Sequence, residues 1–189
     1  MPAALAELRK SPSLAVDMEM ENNYHHYGLH IAIIQVSVPS GLNFIFDLLS
    51  GLDPQPLGAM LTDPGIEVIL HDADFDKRAC YEIFRWKLNG LFDTKVAAQF
   101  CGFQAYGLAA LLGGILNVET NKKFQRIDWM KRPLRLDALE YAVGDTAHLF
   151  KIKDLDGFFG FGHQCLGLVG LLVPSEGPKN VGAEAVKPS

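Results

Sequence analysis

The sequence predicts an α/β domain in which helices flank a mixed central β-sheet. Three segments rich in β-branched and apolar residues follow one another near the N-terminus, and their close spacing predicts an antiparallel meander. Beyond them, short strands alternate with helical stretches, which is typical of parallel strand–helix units. A length of 189 residues suits one domain, and the sequence shows no repeat at a fixed period.

The three N-terminal strands are SLAVDM at 13–18, LHIAIIQVSV at 29–38 and NFIFDL at 43–48. Their apolar and β-branched residues are those found in strands that pack against a core. The segment ENNYHHYG carries Asn and Gly turn signals between the first two strands, and PSG separates the second strand from the third.

Strands and helices alternate in the second half of the chain. A helix at about 56–61 ends before Asp63-Pro64-Gly65, and the buried strand EVILH follows at 67–71. A helix at 74–84 then has acidic residues near its N-terminus, where the helix dipole favours them. The remaining elements, in order, are a short strand at 91–92 before the helix cap Asp93-Thr94, helices at about 94–101 and 107–116, a basic loop at 117–135, and a last helix from 136 to about 153.

The composition is that of a soluble globular protein, with 49% hydrophobic and 21% charged residues. A formal net charge of −5 gives no global positive field, which argues against a high-affinity, non-specific DNA-binding protein. It argues less against a metal-dependent nuclease, because carboxylate ligands add negative charge that bound cations offset.

The cysteines and the chain ends predict an intracellular protein. Cys80, Cys101 and Cys165 are widely spaced, so we interpret them as reduced thiols. The N-terminal residues have no apolar signal-peptide core, and the apolar run CLGLVGLLVP is too short to cross a bilayer. We therefore expect location in the cytoplasm or nucleus, with no transmembrane segment.

Asp17 and Glu19 lie two residues apart in the first strand. Side chains alternate along a strand, so both carboxylates face the same side of the sheet. Two acids on one face of a central strand are costly without a cation or a hydrogen-bond network. The pair predicts a metal site, and the alternative is a solvated strand end.

A second acidic segment, LHDADFD, follows the strand EVILH. Carboxyl ends of strands in α/β folds are where active sites cluster, so one of Asp72, Asp74 and Asp76 is a candidate metal ligand. Helix capping is the alternative role for these residues. Spacing alone does not choose among the three aspartates.

Tyr141 and Asp145 are four residues apart in LEYAVGDTAHL, which places them on one face of the last helix. The carboxylate suits a metal, and the phenol hydroxyl suits a water molecule or a phosphate. A half-buried tyrosine beside a surface acid is the alternative interpretation of this spacing.

Taken together, the three segments resemble the DEDD 3′–5′ exonucleases, and within them the ribonuclease D-like branch that has tyrosine in the third motif. The resemblance covers about residues 13–153. LFDTKVAAQFCG is similar to the DTxxAAxLLG segment of the family, and DWMKRPLRLDALEYAVGDTAHL is similar to its DWxxRPLxxxQxxYAxxDxxxL segment. The family acid stands five residues after the histidine that ends the strand, so the resemblance selects Asp76 after His71.

The resemblance implies a ribonuclease H-like fold and catalysis by Asp17, Glu19, Asp76, Tyr141 and Asp145. The four acids would hold two divalent cations, Mg²⁺ or Mn²⁺, and Tyr141 would orient a water molecule for attack on the terminal phosphorus. The implied partner is a single-stranded 3′ end, of RNA in preference to DNA, and the product is a nucleoside 5′-monophosphate. The alternatives are a DNA-directed exonuclease of the Werner helicase type and a non-catalytic RNA-binding or adaptor module.

Four further residues are candidate substrate contacts: Met20, His71, Trp129 and Arg132. Met20 suits packing against the terminal base or the core, and His71 suits a ligand contact or a structural role at the strand end. Trp129 and Arg132 belong to a basic run whose cations are Lys122, Lys123, Arg126, Lys131, Arg132 and Arg135. A groove that follows the nucleic-acid backbone, with a stacking aromatic residue, is one interpretation of this run, and a solvated loop is the other.

The predicted organisation is an N-terminal segment at 1–12, an exonuclease domain at 13–153 and a Gly/Pro-rich tail at 154–189. The tail departs from the family pattern and lacks helical periodicity. We expect its apolar first part to pack on the domain and its last part to be disordered. The helical RNA-binding domains that follow the exonuclease domain of ribonuclease D have no counterpart in this sequence.

Overall fold

A computed structural model describes residues 2–120 and 122–154, and a mixed five-stranded sheet forms its centre. The strands are β1 (Ser13–Asn22), β2 (Leu29–Ser37), β3 (Asn43–Asp47), β4 (Glu67–Leu70) and β5 (Leu91–Asp93). Their spatial order is β3-β2-β1-β4-β5. The first three strands pair antiparallel, whereas β4 pairs parallel with both β1 and β5. The predicted meander and mixed sheet are confirmed.

Seven α-helices lie in the described ranges. They are α1 (Pro2–Leu8), α2 (Gln55–Leu61), α3 (Asp74–Phe84), α4 (Thr94–Phe100), α5 (Leu108–Leu116), α6 (Leu136–Ala147) and α7 (Leu149–Lys153). The single helix predicted from 136 to about 153 is thus two helices separated at His148. Thr146 lies just before this break, and its hydroxyl oxygen lies 2.7 Å from that of Ser37 in β2.

The sheet separates two apolar layers, and strand alternation assigns each side chain to one of them. Leu14, Val16 and Met18 of β1 pack in the core cluster that includes residues of α1, α2 and α3. Ala15 of β1 and buried residues of β4, α4, α5 and α7 form the core on the opposite face. Asp17 and Glu19 alternate with Val16 and Met18, so they point to the face that α5, α6 and α7 cover.

Strand β1 is longer than predicted because residues 19–22 continue to pair with β2. The register shifts at this point, where Glu19 pairs with Ile33 and Met20 pairs with Ile31, which leaves one additional residue in β2. Glu21 is buried at the end of the same face as Asp17 and Glu19.

Among helices of the described ranges, none combines the length and apolar character that a membrane crossing requires. Within the same ranges, Cys80 and Cys101 form no disulfide. The expectations for the tail from residue 155 onward, including a reduced Cys165, lie outside the described residues.

Candidate active site

Strand β1 and helix α6 bring three of the predicted acids together. Asp17 and Glu19 point from β1 toward α6, and Asp145 projects from the last half of α6. One carboxylate oxygen from each of the three residues lies within 4.8 Å of the other two. Residues that are more than 120 positions apart in the sequence therefore form one acidic cluster.

Asp76 lies close to this cluster, in the first turn of α3 directly after β4. Its side chain is buried, and its charge is one cause of the raised pKa of Asp17. The cluster of three oxygens does not include Asp76. Asp72 and Asp74 are exposed instead, and each forms an ion pair with a basic side chain at the surface. The structure thus separates Asp76 from the two aspartates that spacing could not exclude.

The acids of this site hold protons more strongly than ordinary carboxylic acids. Burial, followed by the charges of Asp17, Asp145 and Asp76, raises the pKa of Glu19 to about 10. Burial is also the main cause that raises the pKa of Asp17, and it raises the pKa values of Asp76 and Asp145 to about 6. These shifts show that the negative charge of the site is not compensated by nearby basic groups.

The donor set fits divalent cations. Carboxylate oxygens are the ligands that Mg²⁺ and Mn²⁺ prefer, and the acids that cluster here offer only such oxygens. Among the described residues that line the cavity beside them, none is a lysine or an arginine. A bound cation would therefore supply the compensating charge that the protein itself does not provide.

Tyr141 lies one helical turn before Asp145, and both side chains line the same cavity. Burial, followed by the charge of Asp145, raises the pKa of the phenol well above its ordinary value, so the hydroxyl stays protonated. The ring packs against Phe124 and Trp129, with centroid separations of 5.7 and 6.3 Å. This packing fixes the direction in which the hydroxyl points.

Asp17, Glu19, Asp145 and Tyr141 line a cavity of about 340 Å³. This volume lies at the lower end of the range of roughly 300–1,000 Å³ that is usual for small-molecule pockets. Its apolar wall consists of Leu108, Ala109 and Leu149, and the polar residues His71, Thr120 and Gln125 complete the lining. A second cavity of about 300 Å³ shares Thr120, Tyr141 and Asp145 with it, so the open space continues along α6.

The sequence analysis missed most of this wall. Leu108 and Ala109 were predicted only as the start of a helix, and Thr120 and Gln125 only as part of a loop. The only sequence signal for this wall was the apolar start of α5. That signal does not indicate which residues α5 packs against. Their role in the cavity depends on contacts between segments that are distant in the sequence.

Of the candidate substrate contacts, His71 lies at the cavity and Met20 does not. His71 lines the cavity, and its Nδ1 atom lies 2.9 Å from the hydroxyl oxygen of Thr94. Met20 is half-buried and packs against the core on the opposite face of β1 from Asp17 and Glu19. The position of Met20 agrees with the core-packing alternative, because strand alternation turns its side chain away from the acids.

Trp129 and Arg132 stabilise the loop before α6. The Trp129 side chain is only 2% exposed and packs with Ala138 and Ala142 of α6, so its ring is not available for stacking on a base. The Arg132 guanidinium donates to the carboxylate of Asp47 and to the carbonyl of Trp129. Both expected substrate contacts are corrected to structural roles, since each side chain is already engaged by the protein.

The other described side chains of the basic run lie at the surface. Arg135 forms an ion pair with Asp137 at 2.5 Å, and both side chains are exposed or nearly so. Lys123, Arg126 and Lys131 are exposed, and the side chain of Lys122 lies outside the described atoms. The segment thus combines an anchored aromatic residue and arginine with solvated cations.

Comparison with known proteins agrees with this geometry. A family model described as 3′–5′ exonuclease matches residues 1–155. The exosome complex component 10 homolog of Drosophila melanogaster is 34% identical over 150 residues, which are 79% of this chain and 16% of that protein. Ribonuclease D of Escherichia coli is 33% identical over 152 residues, 79% of this chain and 40% of that protein. The crystal structure of the catalytic core of RRP6 from Trypanosoma brucei superposes with a TM-score of 0.74 at 30% identity, over 80% of this chain and 42% of that one.

The chain therefore belongs to the 3′–5′ exonuclease family, and it contains a DEDD-type exonuclease domain like that of ribonuclease D. The expected ribonuclease H-like fold is confirmed by the superposed exonuclease domains. The chain spans less than half the length of the two curated relatives described above.

Proposed function

We propose that this protein is a metal-dependent 3′–5′ exonuclease that acts on single-stranded RNA and releases nucleoside 5′-monophosphates. The observation that carries the proposal is the convergence of Asp17, Glu19 and Asp145 within 4.8 Å in a cavity that Tyr141 also lines. A non-catalytic binding module would have no need to bury these acids together, because burial of uncompensated carboxylates costs free energy.

Asp17, Glu19, Asp76 and Asp145 are proposed to hold two divalent cations, Mg²⁺ or Mn²⁺. When bound, the cations would supply a water molecule of lowered pKa for attack on phosphorus and would stabilise the negative charge of the departing 3′ oxygen. The acids themselves must be deprotonated to bind the cations, which their raised pKa values oppose and the charge of the cations favours.

Tyr141 is proposed to orient the attacking water molecule. Its pKa lies well above its ordinary value, so the phenol is a hydrogen-bond donor and not a general base at neutral pH. Packing of its ring against Phe124 and Trp129 holds the hydroxyl at the edge of the cavity. The apolar wall of Leu108, Ala109 and Leu149 suits the face of the terminal base.

RNA is the proposed substrate because the relatives named ribonuclease D match this chain across most of its length. This substrate agrees with the expected location in the cytoplasm or nucleus. A DNA end has the same phosphodiester chemistry, so DNA degradation is the outcome that would change the substrate class.

The test is degradation of a 5′-labelled single-stranded RNA and of its DNA counterpart with Mn²⁺, with Mg²⁺ and with EDTA. Stepwise shortening from the 3′ end that requires metal and is lost in Asp17→Ala would support the proposal. Folded protein that shortens neither strand under any metal would contradict it and would favour the binding module.

Asp76→Asn and Asp74→Asn form a matched pair for this assay. The two residues lie in the same turn of α3, but Asp76 is buried beside Asp17 whereas Asp74 is exposed and pairs with Arg78. We expect Asp76→Asn to lower the rate by at least about 100-fold, and Asp74→Asn to leave it nearly unchanged. Equal effects of the two substitutions would remove Asp76 from the proposed site.

A further inference from the structure

His71 is held at the end of β4 by residues at the start of α4. The carboxylate of Asp93 accepts hydrogen bonds from the backbone N–H groups of Asp72 at 3.0 Å and Ala73 at 2.9 Å. These bonds fix the turn directly after His71, where Asp72 has a left-handed φ of 64°. Thr94, buried beside this turn, has its hydroxyl oxygen 2.9 Å from Nδ1 of His71.

The contacts of Thr94 favour one tautomer of His71. The carbonyl of Leu70 can only accept and lies 3.1 Å from the Thr94 hydroxyl, so we assign the hydroxyl hydrogen to that carbonyl and the hydrogen between Thr94 and His71 to Nδ1. A neutral imidazole carries only one N–H, which leaves a lone pair on Nε2. Burial lowers the pKa of His71, so the neutral form prevails at pH 7.

The Nε2 lone pair has no hydrogen-bond donor among the described residues, and His71 lines the cavity together with the acids. The acids beside it are acceptors that the proposed cations would engage. A ligand that fills the cavity can therefore bring a donor to Nε2. The 3′-terminal nucleotide of RNA carries such donors as ribose hydroxyl groups, and the 2′-hydroxyl distinguishes RNA from DNA.

We propose that His71 is a specificity-determining residue whose Nε2 accepts a hydrogen bond from the 2′-hydroxyl of the terminal ribose. The inference rests on the proposed exonuclease function and assigns its selectivity to one named atom. Neutral Nε2 suits this task because it offers an acceptor that is not one of the proposed cation ligands. The paired segments LHDADFD and LFDT thus supply both the histidine and the threonine that orients it.

The tautomer and the contact are tested first without catalysis. Nitrogen-15 NMR of the histidine rings, with His71 assigned by comparison with His71→Gln, is recorded with Mg²⁺ and either adenosine 5′-monophosphate or its 2′-deoxy analogue. We expect hydrogen on Nδ1, and a shift of the Nε2 signal that the ribonucleotide causes and the deoxyribonucleotide does not. Hydrogen on Nε2, or equal shifts with both nucleotides, would overturn the proposal.

The kinetic test compares an RNA oligonucleotide with one that lacks only the 2′-hydroxyl of its last nucleotide. The loss of one neutral hydrogen bond predicts that wild-type kcat/KM favours the ribose end by about 2- to 13-fold. His71→Ala should lower the rate on the ribose end and bring the ratio near one. A merely structural role of His71 would lower both rates equally and leave the ratio unchanged, which would overturn the proposal.

Two further variants complete the experiment. Thr94→Val removes the acceptor that fixes the tautomer, so it should also reduce the ratio, whereas His30→Ala should retain it. His30 is exposed, hydrogen-bonds to the carbonyl of Tyr27 at 2.9 Å and is not among the described residues that line the cavity. Wild-type protein that shortens neither substrate would contradict the proposed function, whereas shortening with a ratio insensitive to His71→Ala would contradict this inference alone.

Discussion

Arg132 binds Asp47 through two hydrogen bonds, from Nε to Oδ2 at 2.8 Å and from Nη2 to Oδ1 at 2.6 Å. The same guanidinium group donates to the carbonyl of Trp129 at 2.7 Å. The loop before α6 is thereby attached to the end of β3, an edge strand of the sheet. Because α6 carries Tyr141 and Asp145, this attachment contributes to the position of the candidate active site.

Arg132→Ala is expected to lower the free energy of unfolding by about 1.5–3 kcal/mol, because hydrogen bonds to a charged partner are lost. Arg126→Ala, in an exposed position of the same loop, should change it by less than about 0.5 kcal/mol. Urea unfolding of both variants measures the difference. Unchanged stability of Arg132→Ala with weakened RNA binding would restore Arg132 as a substrate contact.

Trp129→Ala is expected to destabilise the protein by about 3–5 kcal/mol, since it leaves a cavity among Ala138, Ala142 and Phe124. Trp129→Phe keeps most of the buried ring and should cost less. The affinity of folded Trp129→Phe for a fluorescent single-stranded RNA should equal that of the wild type in an anisotropy titration. A loss of affinity in this variant without a loss of stability would show that Trp129 stacks on a base after all.

The stability of the metal-free protein should depend on pH through Glu19. Its pKa is about 10 in the folded state, against about 4.3 for an unperturbed glutamate in the unfolded state. Between these values the folded state binds more protons than the unfolded state, so the contribution of Glu19 to stability falls as pH rises. In EDTA, Glu19→Gln should be more stable than the wild type, and the difference should grow from pH 5 to pH 8.

Urea unfolding of the two proteins in EDTA at pH 5, 6.5 and 8 measures this difference. Glu82→Gln, at an exposed position of α3, is the control and should follow the wild type at every pH. Addition of Mn²⁺ at pH 8 should stabilise the wild type and stabilise Glu19→Gln less. Parallel pH profiles for wild type and Glu19→Gln would show that Glu19 ionises normally, contrary to the account.

Tyr141→Phe is expected to lower kcat by roughly 100-fold or more, a magnitude typical of the loss of a positioned group that assists a hydrolytic step. The phenyl ring preserves the packing against Phe124 and Trp129, so stability should change little. The pKa of the phenol lies well above its ordinary value, so the wild-type pH–rate profile should show no step from Tyr141 below pH 10. Full activity of Tyr141→Phe in the exonuclease assay would exclude the orienting role.

Local patterns in the sequence predicted the elements that carry the acids. Alternation in β1 placed Asp17 and Glu19 on one face, and the four-residue spacing in α6 placed Tyr141 beside Asp145. Spacing did not distinguish Asp76 from Asp72 and Asp74; only the family resemblance did so. The physical difference is burial, because Asp76 faces the protein and the other two face solvent.

Contacts between segments that are distant in the chain could not be predicted from the sequence. Arg132 meets Asp47, which is 85 residues away, and a basic residue in a loop gives no sign of such a partner. The same holds for Trp129, whose ring suits a core as well as a nucleic-acid surface. The wall formed by Leu108 and Ala109 arises because α5 packs beside α7, a relationship that periodicity within either helix does not contain.

The most direct test of the central claim is the identity of the released product. Single-stranded RNA is digested with Mn²⁺ in water enriched in ¹⁸O, and the products are identified by mass spectrometry. The account predicts nucleoside 5′-monophosphates that carry one ¹⁸O atom on phosphorus and are absent when Asp145→Asn replaces the wild type. Nucleoside 3′-monophosphates, 2′,3′-cyclic phosphates or unaltered RNA from folded protein would contradict it.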